Sequence, residues 1–536
     1  MFIQRLITCF LNTKKICSIS FFIGLCGVTV LYLGFLTQFS KNYKKTTESV
    51  TVLQHVFRGI KEKNDYQKRK NFNITRQFMR LKAKAADIDK EITTFRTGTI
   101  PIQTTRAPIV LISDVPIILL WNNPFNDFSM VLEFLQESID IEKYRKDINI
   151  DTHLCGKCRI TLDRNQLQKS DAVVFHLPQL DKDDLPPRTT RRNDQLYVWW
   201  AQESSASSQA HLRRLDYFNL TMTVRRSSDV YSPYATLDWV LKLIWHKERH
   251  KDIVKNIAKF KNVRLTRPNE LKAVISSLPY ISHAKKYKVS SALTPQIRDL
   301  LAKKIGLAVW VVSNCGNTPS SSLRFAYADK LQDSGLQIDK FGRCSGYNFP
   351  IRSRYDPAYF EVLSRYKFYF AFENSYHCKD YATEKLWLNA LYSGAIPVIF
   401  GPDRRDIEAV LPSKTFIHAE DFQSPSSLVR YLLYLDNNAT AYAEYHEWRT
   451  WVRYFDEKGE LSPKKTNKDL EALSVGQQAL VKKYAMTKAA GFCALCKRVT
   501  DTPANNSVFI HDVGQWWRND NEECLNTEIA WRMLEL

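Results

Sequence analysis

From residue 16 to residue 40 the chain carries no charged side chain, and Phe, Leu, Ile and Val dominate. About 20 such residues cross a bilayer as a helix. The run is longer than the roughly 7–15 residues of a signal-peptide core and no small-x-small cleavage site follows, which predicts an uncleaved anchor. Residues 41–105 are then dense in Lys and Arg, with isolated apolar positions such as Val52, Leu53, Val56 and Ile60. That pattern describes a solvated, partly helical stem without a core of its own. Order is predicted from Pro108 onward. Apolar runs at 109–112, 116–121, 172–176 and 197–200 read as buried strands, and they alternate with helical patterns at 129–139 and 236–246. Strands alternating with helices argue for a parallel α/β sheet.

A basic, Ser-containing stretch over 283–304 reads as a connection, after which the pattern restarts. A strand at 307–312 and a helix at 320–331 lead to the clearest unit. It is a strand at 367–372, a polar loop, a helix at 383–393 and a strand up to Phe400. Thr383 can cap the helix start and Gly394 its end.

The 536 residues leave room for two or three domains. Net charge is +21, but residues 1–40 supply +3 and residues 41–105 another +9, which leaves +9 for the last 431. A nucleic-acid partner would want the excess on the folded body; here it sits on a stem next to a membrane. Three of the four sequons, at Asn219, Asn438 and Asn505, lie in that body and the fourth, Asn73, in the stem, as a luminal chain requires. The anchor's flanking charges are balanced, so the sequons set the type II orientation. Beyond the anchor there are eight cysteines, an even number that suits disulfides in an oxidising lumen. Cys155/Cys158 and Cys493/Cys496 are both CxxC pairs, so zinc is the alternative; a zinc ribbon, however, places its second pair about 15–20 residues after the first.

At the start of the 383–393 helix stand an acid and a base, Glu384 and Lys385. Free N–H groups and a positive dipole end make a helix start suited to phosphate, and Lys385 adds a full charge. Taken alone, such a pair also fits a surface helix start. The surrounding residues are more specific: Phe370-Ala371-Phe372-Glu373-Asn374-Ser375, then Asp380-Tyr381-Ala382-Thr383-Glu384-Lys385, then Gly394-Ala395-Ile396-Pro397-Val398. This succession resembles the signature of the α1,3-fucosyltransferases, glycosyltransferase family 10. Trp310 to Cys315, Phe218 to Thr223, Arg225-Arg226, Ser228-Asp229 and Pro233-Tyr234 extend the resemblance over about 108–454, and it resumes at Cys493.

The resemblance implies a GT-B fold, two Rossmann-like domains facing a cleft, behind the transmembrane helix and stem. The implied organisation is a cytoplasmic tail (1–15), the anchor (16–40), the stem (41–105), an acceptor domain (106–295), a GDP-fucose-binding domain (296–460) and an extension (461–536) whose CxxC returns to the first domain. It implies disulfides between Cys155, Cys158 and Cys493, Cys496, in an open order. Inverting transfer needs a base on the acceptor hydroxyl and cations near the leaving diphosphate. Glu203, at a strand end, matches the family's catalytic glutamate, although Ser205 stands where vertebrate members usually have proline. Arg324 and Lys385 are the diphosphate candidates; Glu384 and Tyr381 are candidates for the ribose, fucose or guanine side of the donor, with Ser313, Asn314 and Asn374 as further donor contacts. No metal or obligatory cofactor is expected, and stimulation by a divalent cation stays open. Asp181-Lys182-Asp183, the available DxD, falls in a polar loop.

The reading is a Golgi membrane fucosyltransferase that inverts GDP-fucose onto the 3-hydroxyl of GlcNAc in glycoprotein glycans. Trp516-Trp517-Arg518, Cys524 and Ser313-Asn314-Cys315 resemble invertebrate members acting on the N-glycan core; Lewis-type antennae stay open. A protein hydroxyl as acceptor, an inactive glycan-binding protein and homodimerisation through the stem are the alternatives left to test.

Overall fold

The computed structural model describes residues 115–124, 147–181, 183–206, 216–249, 253–316, 319–461, 467–501, 513–517, 524 and 531, all within one compact unit, 111–536. The anticipated anchor, the stem, the strand at 109–112, the helix at 129–139 and the sequons at Asn73 and Asn505 lie outside the described residues. Among the described residues no helix is long and apolar enough to cross a membrane.

The first sheet contains β1 (Ile117–Leu120), β2 (Asp147–Thr152), β3 (Gly156–Thr161), β4 (Ala172–His176), β5 (Leu196–Ala201), β6 (Leu220–Thr223) and β7 (Val230–Tyr231), in the order β2-β3-β1-β4-β5-β6-β7. β4 and β5 are buried along their whole length, which is why they read as continuous apolar runs: a parallel strand is covered on both faces. The sheet departs from the expected all-parallel form at β2 and β3, an antiparallel hairpin. Their sequences, DINIDT and GKCRIT, mix charged and apolar residues, so no apolar run announced them.

The second sheet contains β8 (Gly306–Val311), β9 (Asp339–Phe341), β10 (Tyr366–Phe372), β11 (Ile396–Phe400) and β12 (Ile417–His418), ordered β12-β11-β10-β8-β9 and parallel throughout. Every residue of β10 is buried, Lys367 included, and its ammonium pairs with Asp436 at 2.7 Å. Chain order reverses between β8 and β10. In such sheets ligands bind outside the carboxyl ends of the strands at that reversal, here just after Val311 and Phe372.

Helix α1 (Leu237–Glu248) starts at Thr236, whose side chain accepts from the Trp239 N–H, and residues 237 to 246 are all buried. It is covered on all sides because Trp239 and Leu243 enter one core with Tyr369, Leu386 and Trp387 of the second sheet's layer. The stretch expected to be a plain connection over 283–304 also contains a helix, α2 (Pro295–Ala302), anchored by buried Ile297 and Leu301. Helix α3 (Pro319–Asp333) follows β8.

The helix expected at 383–393 is a π-helix, Lys385–Tyr392, entered through Glu384, and Thr383 caps it weakly, its Oγ1 accepting from the Lys385 N–H at 3.4 Å. Thr383 is also held by Glu373, whose carboxylate accepts from its N–H at 2.8 Å and its hydroxyl at 2.9 Å. Gly394 ends the helix at φ +94°, where a Cβ would come within 2.6 Å of Leu300 Cδ1.

Helix α4 (Gly491–Asp501) brings the C-terminal CxxC back to the first sheet, with Phe492 and Leu495 in the same core as Ile118, Val174 and Trp200. Cys155 is bridged to Cys493 and Cys158 to Cys496. All four sulfurs are thus spent in disulfides, which removes the zinc alternative. Two further bridges join Cys315 to Cys344 and Cys378 to Cys524. Helix α5 (Val513–Trp517) seats Trp517 on Trp199 of β5, with ring centroids 5.3 Å apart.

One anticipated modification site does not fit the fold. Asn219 is buried, and its Oδ1 accepts from the Tyr197 N–H at 2.8 Å and from Arg191; a glycan on it would displace the strand edge. Asn438 is half-buried and caps the helix Ala439–Glu444 through Ala441 N at 3.0 Å.

Candidate active site

The chain leaves β5 at Ala201, passes Gln202, whose amide donates to Ser232 Oγ at 2.7 Å, and reaches Glu203. Two hydroxyls hold this carboxylate: Tyr234 donates to Oε1 at 3.1 Å and Tyr381 to Oε2 at 2.7 Å. Tyr234 precedes α1, whereas Tyr381 lies on the loop between β10 and the π-helix, so Glu203 is fixed where the two sheet layers meet. Burial, and after it the Glu203 charge, push both phenols well above their ordinary value. They stay protonated, and each remains a donor to the carboxylate.

The Tyr381 loop is pinned along its length. His377 and Asp380 sit in the left-handed region, at φ 48° and 58°, a conformation that a non-glycine residue keeps only when its surroundings impose it. Asp380 accepts from the Arg226 N–H at 2.8 Å and from its Nε at 2.7 Å. The Glu420 carboxylate takes the Tyr376 hydroxyl at 2.7 Å and the His377 ring at 2.8 Å. Ser375 Oγ meets Ser204 Oγ, one residue from Glu203.

A second cluster occupies the reversal point of the second sheet. Lys385 Nζ lies 3.0 Å from Glu373 and 3.6 Å from Glu384, and donates to Thr383 Oγ1 at 2.9 Å. Burial lowers the ammonium's pKa, but the Glu373 and Glu384 charges outweigh it and the net shift is upward. Glu384 is likewise pushed up by burial but held below its usual value by Lys385 and Arg354. An apolar wall of Trp239, Leu243, Phe360 and Leu388 lies beside Glu384 and Tyr234.

Arg324, the other diphosphate candidate, lies inside the second layer. It is 1% exposed and donates to Phe372 O at 3.0 Å and Asn314 O at 2.6 Å, tying the ends of β10 and β8 together; Nε has no hydrogen-bond partner among the described residues. Burial lowers its pKa, against the pull of Glu373. It acts chiefly as a brace that also brings positive charge to the crevice. Asn314 follows β8 beside Ser313, whose carbonyl accepts from Arg343 Nε at 3.1 Å, and Asn374 follows β10. The predicted set thus falls into two groups: Glu203 with Tyr381, and Glu384, Lys385, Arg324, Ser313, Asn314 and Asn374 around the reversal. Tyr381, grouped with the donor candidates from the sequence, gives its hydroxyl to Glu203. Asp183 N–H donates to Asp181 Oδ1 at 3.0 Å in an exposed turn, away from both groups.

Glu373, Tyr234, Arg226 and Asp380 were given no individual role from the sequence. Glu373 is the middle letter of the Phe-Glu-Asn run, and a carboxylate directly after the apolar run Phe368–Phe372 was the available signal. Tyr234 and Arg226 were quoted as part of the resemblance, but nothing local shows that one would reach Glu203 and the other Asp380.

Comparison with known proteins places the chain in a family. Residues 113–235 match the family model "Fucosyltransferase, N-terminal", and residues 301–516 match "Glycosyltransferase family 10 (fucosyltransferase) C-term". The chain is 34% identical over 343 residues to the 4-galactosyl-N-acetylglucosaminide 3-alpha-L-fucosyltransferase FUT6 of Pan troglodytes, spanning 63% of this chain and 74% of that protein. It is 36% identical over 303 residues to the 3-galactosyl-N-acetylglucosaminide 4-alpha-L-fucosyltransferase FUT3 of Bos taurus, spanning 55% and 65%. A crystal structure of an α1,3-fucosyltransferase aligns with a TM-score of 0.40 at 17% identity, over 77% of this chain and 97% of that one. The two family models show the protein to be a glycosyltransferase. The chain belongs to glycosyltransferase family 10, the α1,3-fucosyltransferase family, and is a fucosyltransferase.

Proposed function

We propose that this enzyme transfers L-fucose from GDP-fucose, with inversion, to the 3-hydroxyl of a GlcNAc residue in glycoprotein glycans. We also read the two sheet layers as a GT-B pair, with the first taking the acceptor and the second the donor, in a type II Golgi membrane protein whose body is luminal. The observation that carries the chemistry is the Glu203 carboxylate, held by two tyrosine hydroxyls at the layer junction. Glu203 takes the proton of the acceptor hydroxyl as that oxygen attacks the anomeric carbon of fucose. The bond from that carbon to the diphosphate oxygen breaks, and the electron pair leaves with GDP. A positioned base of this kind contributes about 10²–10⁴-fold.

Lys385 supplies positive charge for the departing diphosphate at the start of its helix, and Arg324 adds to the field from behind while fixing Asn314. Glu373 and Glu384 hold Lys385 in place, so the ammonium is preorganised before the donor arrives. The apolar wall beside Glu384 suits a 6-deoxy sugar, which carries a methyl group where other hexoses carry a hydroxyl. The test is transfer from GDP-fucose to three acceptors: a chitobiose-core N-glycan, an N-acetyllactosamine antenna and a folded peptide domain. Linkage analysis should find α1,3-fucosyl-GlcNAc; fucose on a peptide hydroxyl, or GDP release that no acceptor accelerates, contradicts the reading.

A further inference from the structure

The bridge between Cys378 and Cys524 joins chain from beyond residue 516, where the family match ends, to the loop that carries Tyr381. Both of its ends lie against the catalytic pair. Cys378 is three residues before Tyr381, and Cys524 Sγ lies 3.1 Å from Ser205 Oγ, two residues after Glu203. The segment before Cys524 is also fastened to the strand that delivers Glu203. Trp517 packs edge-on against Trp199 of β5, and the Arg225 guanidinium lies 3.9 Å from its ring centroid while donating to Trp516 O at 3.1 Å and to Trp517 O.

We infer that Cys378 and Cys524 are positioning residues: their bridge fastens the Tyr381 loop to the Glu203 strand end and so sets the Tyr381–Glu203 hydrogen bond. The physical case is one of leverage. The loop already holds two residues at positive φ, so it needs restraint at several points, and the hydrogen bond at its end spans 178 residues of sequence. Asp380, one residue before Tyr381, anchors the loop to Arg226, and Cys378, three residues before it, anchors it to the tail. The inference rests on the proposed role of Glu203 as base.

The experiment is a double-mutant cycle on the full chain, combining Tyr381→Phe with Cys378→Ala/Cys524→Ala and normalising rates to the fraction of protein that binds GDP. Removing the bridge should lower kcat by about 10- to 100-fold, as small displacements of reacting groups do, and leave GDP affinity within about twofold. In the Tyr381→Phe background the same removal should cost little, since the contact it maintains is already gone. Cys158→Ala/Cys496→Ala, which removes a bridge remote from the loop, should leave kcat unchanged. Multiplying losses, or an unaltered kcat without the bridge, overturn the inference. A Tyr381→Phe enzyme with full activity instead sinks the reading of Glu203 and Tyr381 beneath it. If the cysteine variant does not fold, Arg225→Lys, which keeps the bridge and loosens the clamp on the tail carbonyls, replaces it in the same cycle with the same expected non-additivity.

Discussion

Tyr381 Oη donates a 2.7 Å hydrogen bond to Glu203 Oε2 across the junction of the two layers. A hydrogen bond to a charged group contributes about 1.5–3 kcal/mol. Tyr381→Phe should therefore lower kcat by about 10- to 150-fold while GDP binding is kept, and Tyr234→Phe should do the same more weakly through its longer 3.1 Å contact. Steady-state rates with GDP affinity measured alongside check this; a loss confined to GDP affinity would place Tyr381 on the donor side instead.

Lys385 and Glu373 form a mostly buried pair at 3.0 Å, with side-chain exposures of 12% and 1%. Removing one partner leaves the other uncompensated, at a cost of about 3–5 kcal/mol. Lys385→Met should lose both transfer and thermal stability. Lys385→Met/Glu373→Gln should recover most of the melting temperature and none of the transfer. Recovery of both would mean that Lys385 serves structure alone.

The two sheet cores were legible because their central strands are almost wholly apolar: Ala172 to Phe175 is continuous, and Tyr366 to Phe372 is interrupted only by Lys367, whose charge Asp436 takes up inside the fold. The β2–β3 hairpin was not, since its strands alternate charge with apolar side chains on a sheet edge. Glu203 could be placed at a strand end and Lys385 at a helix start from local order alone. The partners that give them their chemistry could not be found that way. Tyr381 and Tyr234 lie 178 and 31 residues from Glu203, and only the packing of α1 and the Tyr381 loop brings them together. Thr383 shows the same limit: its place predicts the helix cap it makes to the Lys385 N–H, but not its shorter hydrogen bonds to Glu373, ten residues earlier.

Among the described residues, His176, His418 and His446 are buried with their pKa values lowered, so each is held neutral. His176 is brought down to about 4 by burial; His418 is lowered by burial; and His446 is lowered well below its usual value by burial and then by Lys304 and Arg449. The unfolded chain binds protons at these rings near pH 6.5 and the folded chain does not. Their contribution to stability is therefore full above about pH 6.5 and is lost as pH falls toward 4. Melting temperature should drop between pH 7 and pH 5, with net proton uptake on unfolding in that window, and His446→Phe should flatten the slope. Proton release on unfolding there would contradict the assignment.

The bridges Cys155–Cys493 and Cys158–Cys496 each span 338 residues, but once one is closed the other closes only a small ring. The first should be worth about 5 kcal/mol by chain entropy and the second much less. Either pair replaced by Ala should lower the melting temperature slightly, and both pairs together far more than twice as much. Equal, additive losses would argue that the bridges act by native contacts and not by constraining the unfolded chain.

The central claim is that Glu203 removes the acceptor proton. Glu203→Gln keeps the side chain's shape and its place between Tyr234 and Tyr381 but cannot accept that proton. Turnover of GDP-fucose onto a GlcNAc acceptor by this variant should fall by about 10²- to 10⁴-fold, with GDP affinity and melting temperature close to those of the unaltered enzyme. Turnover within a fewfold of the unaltered enzyme would contradict the account.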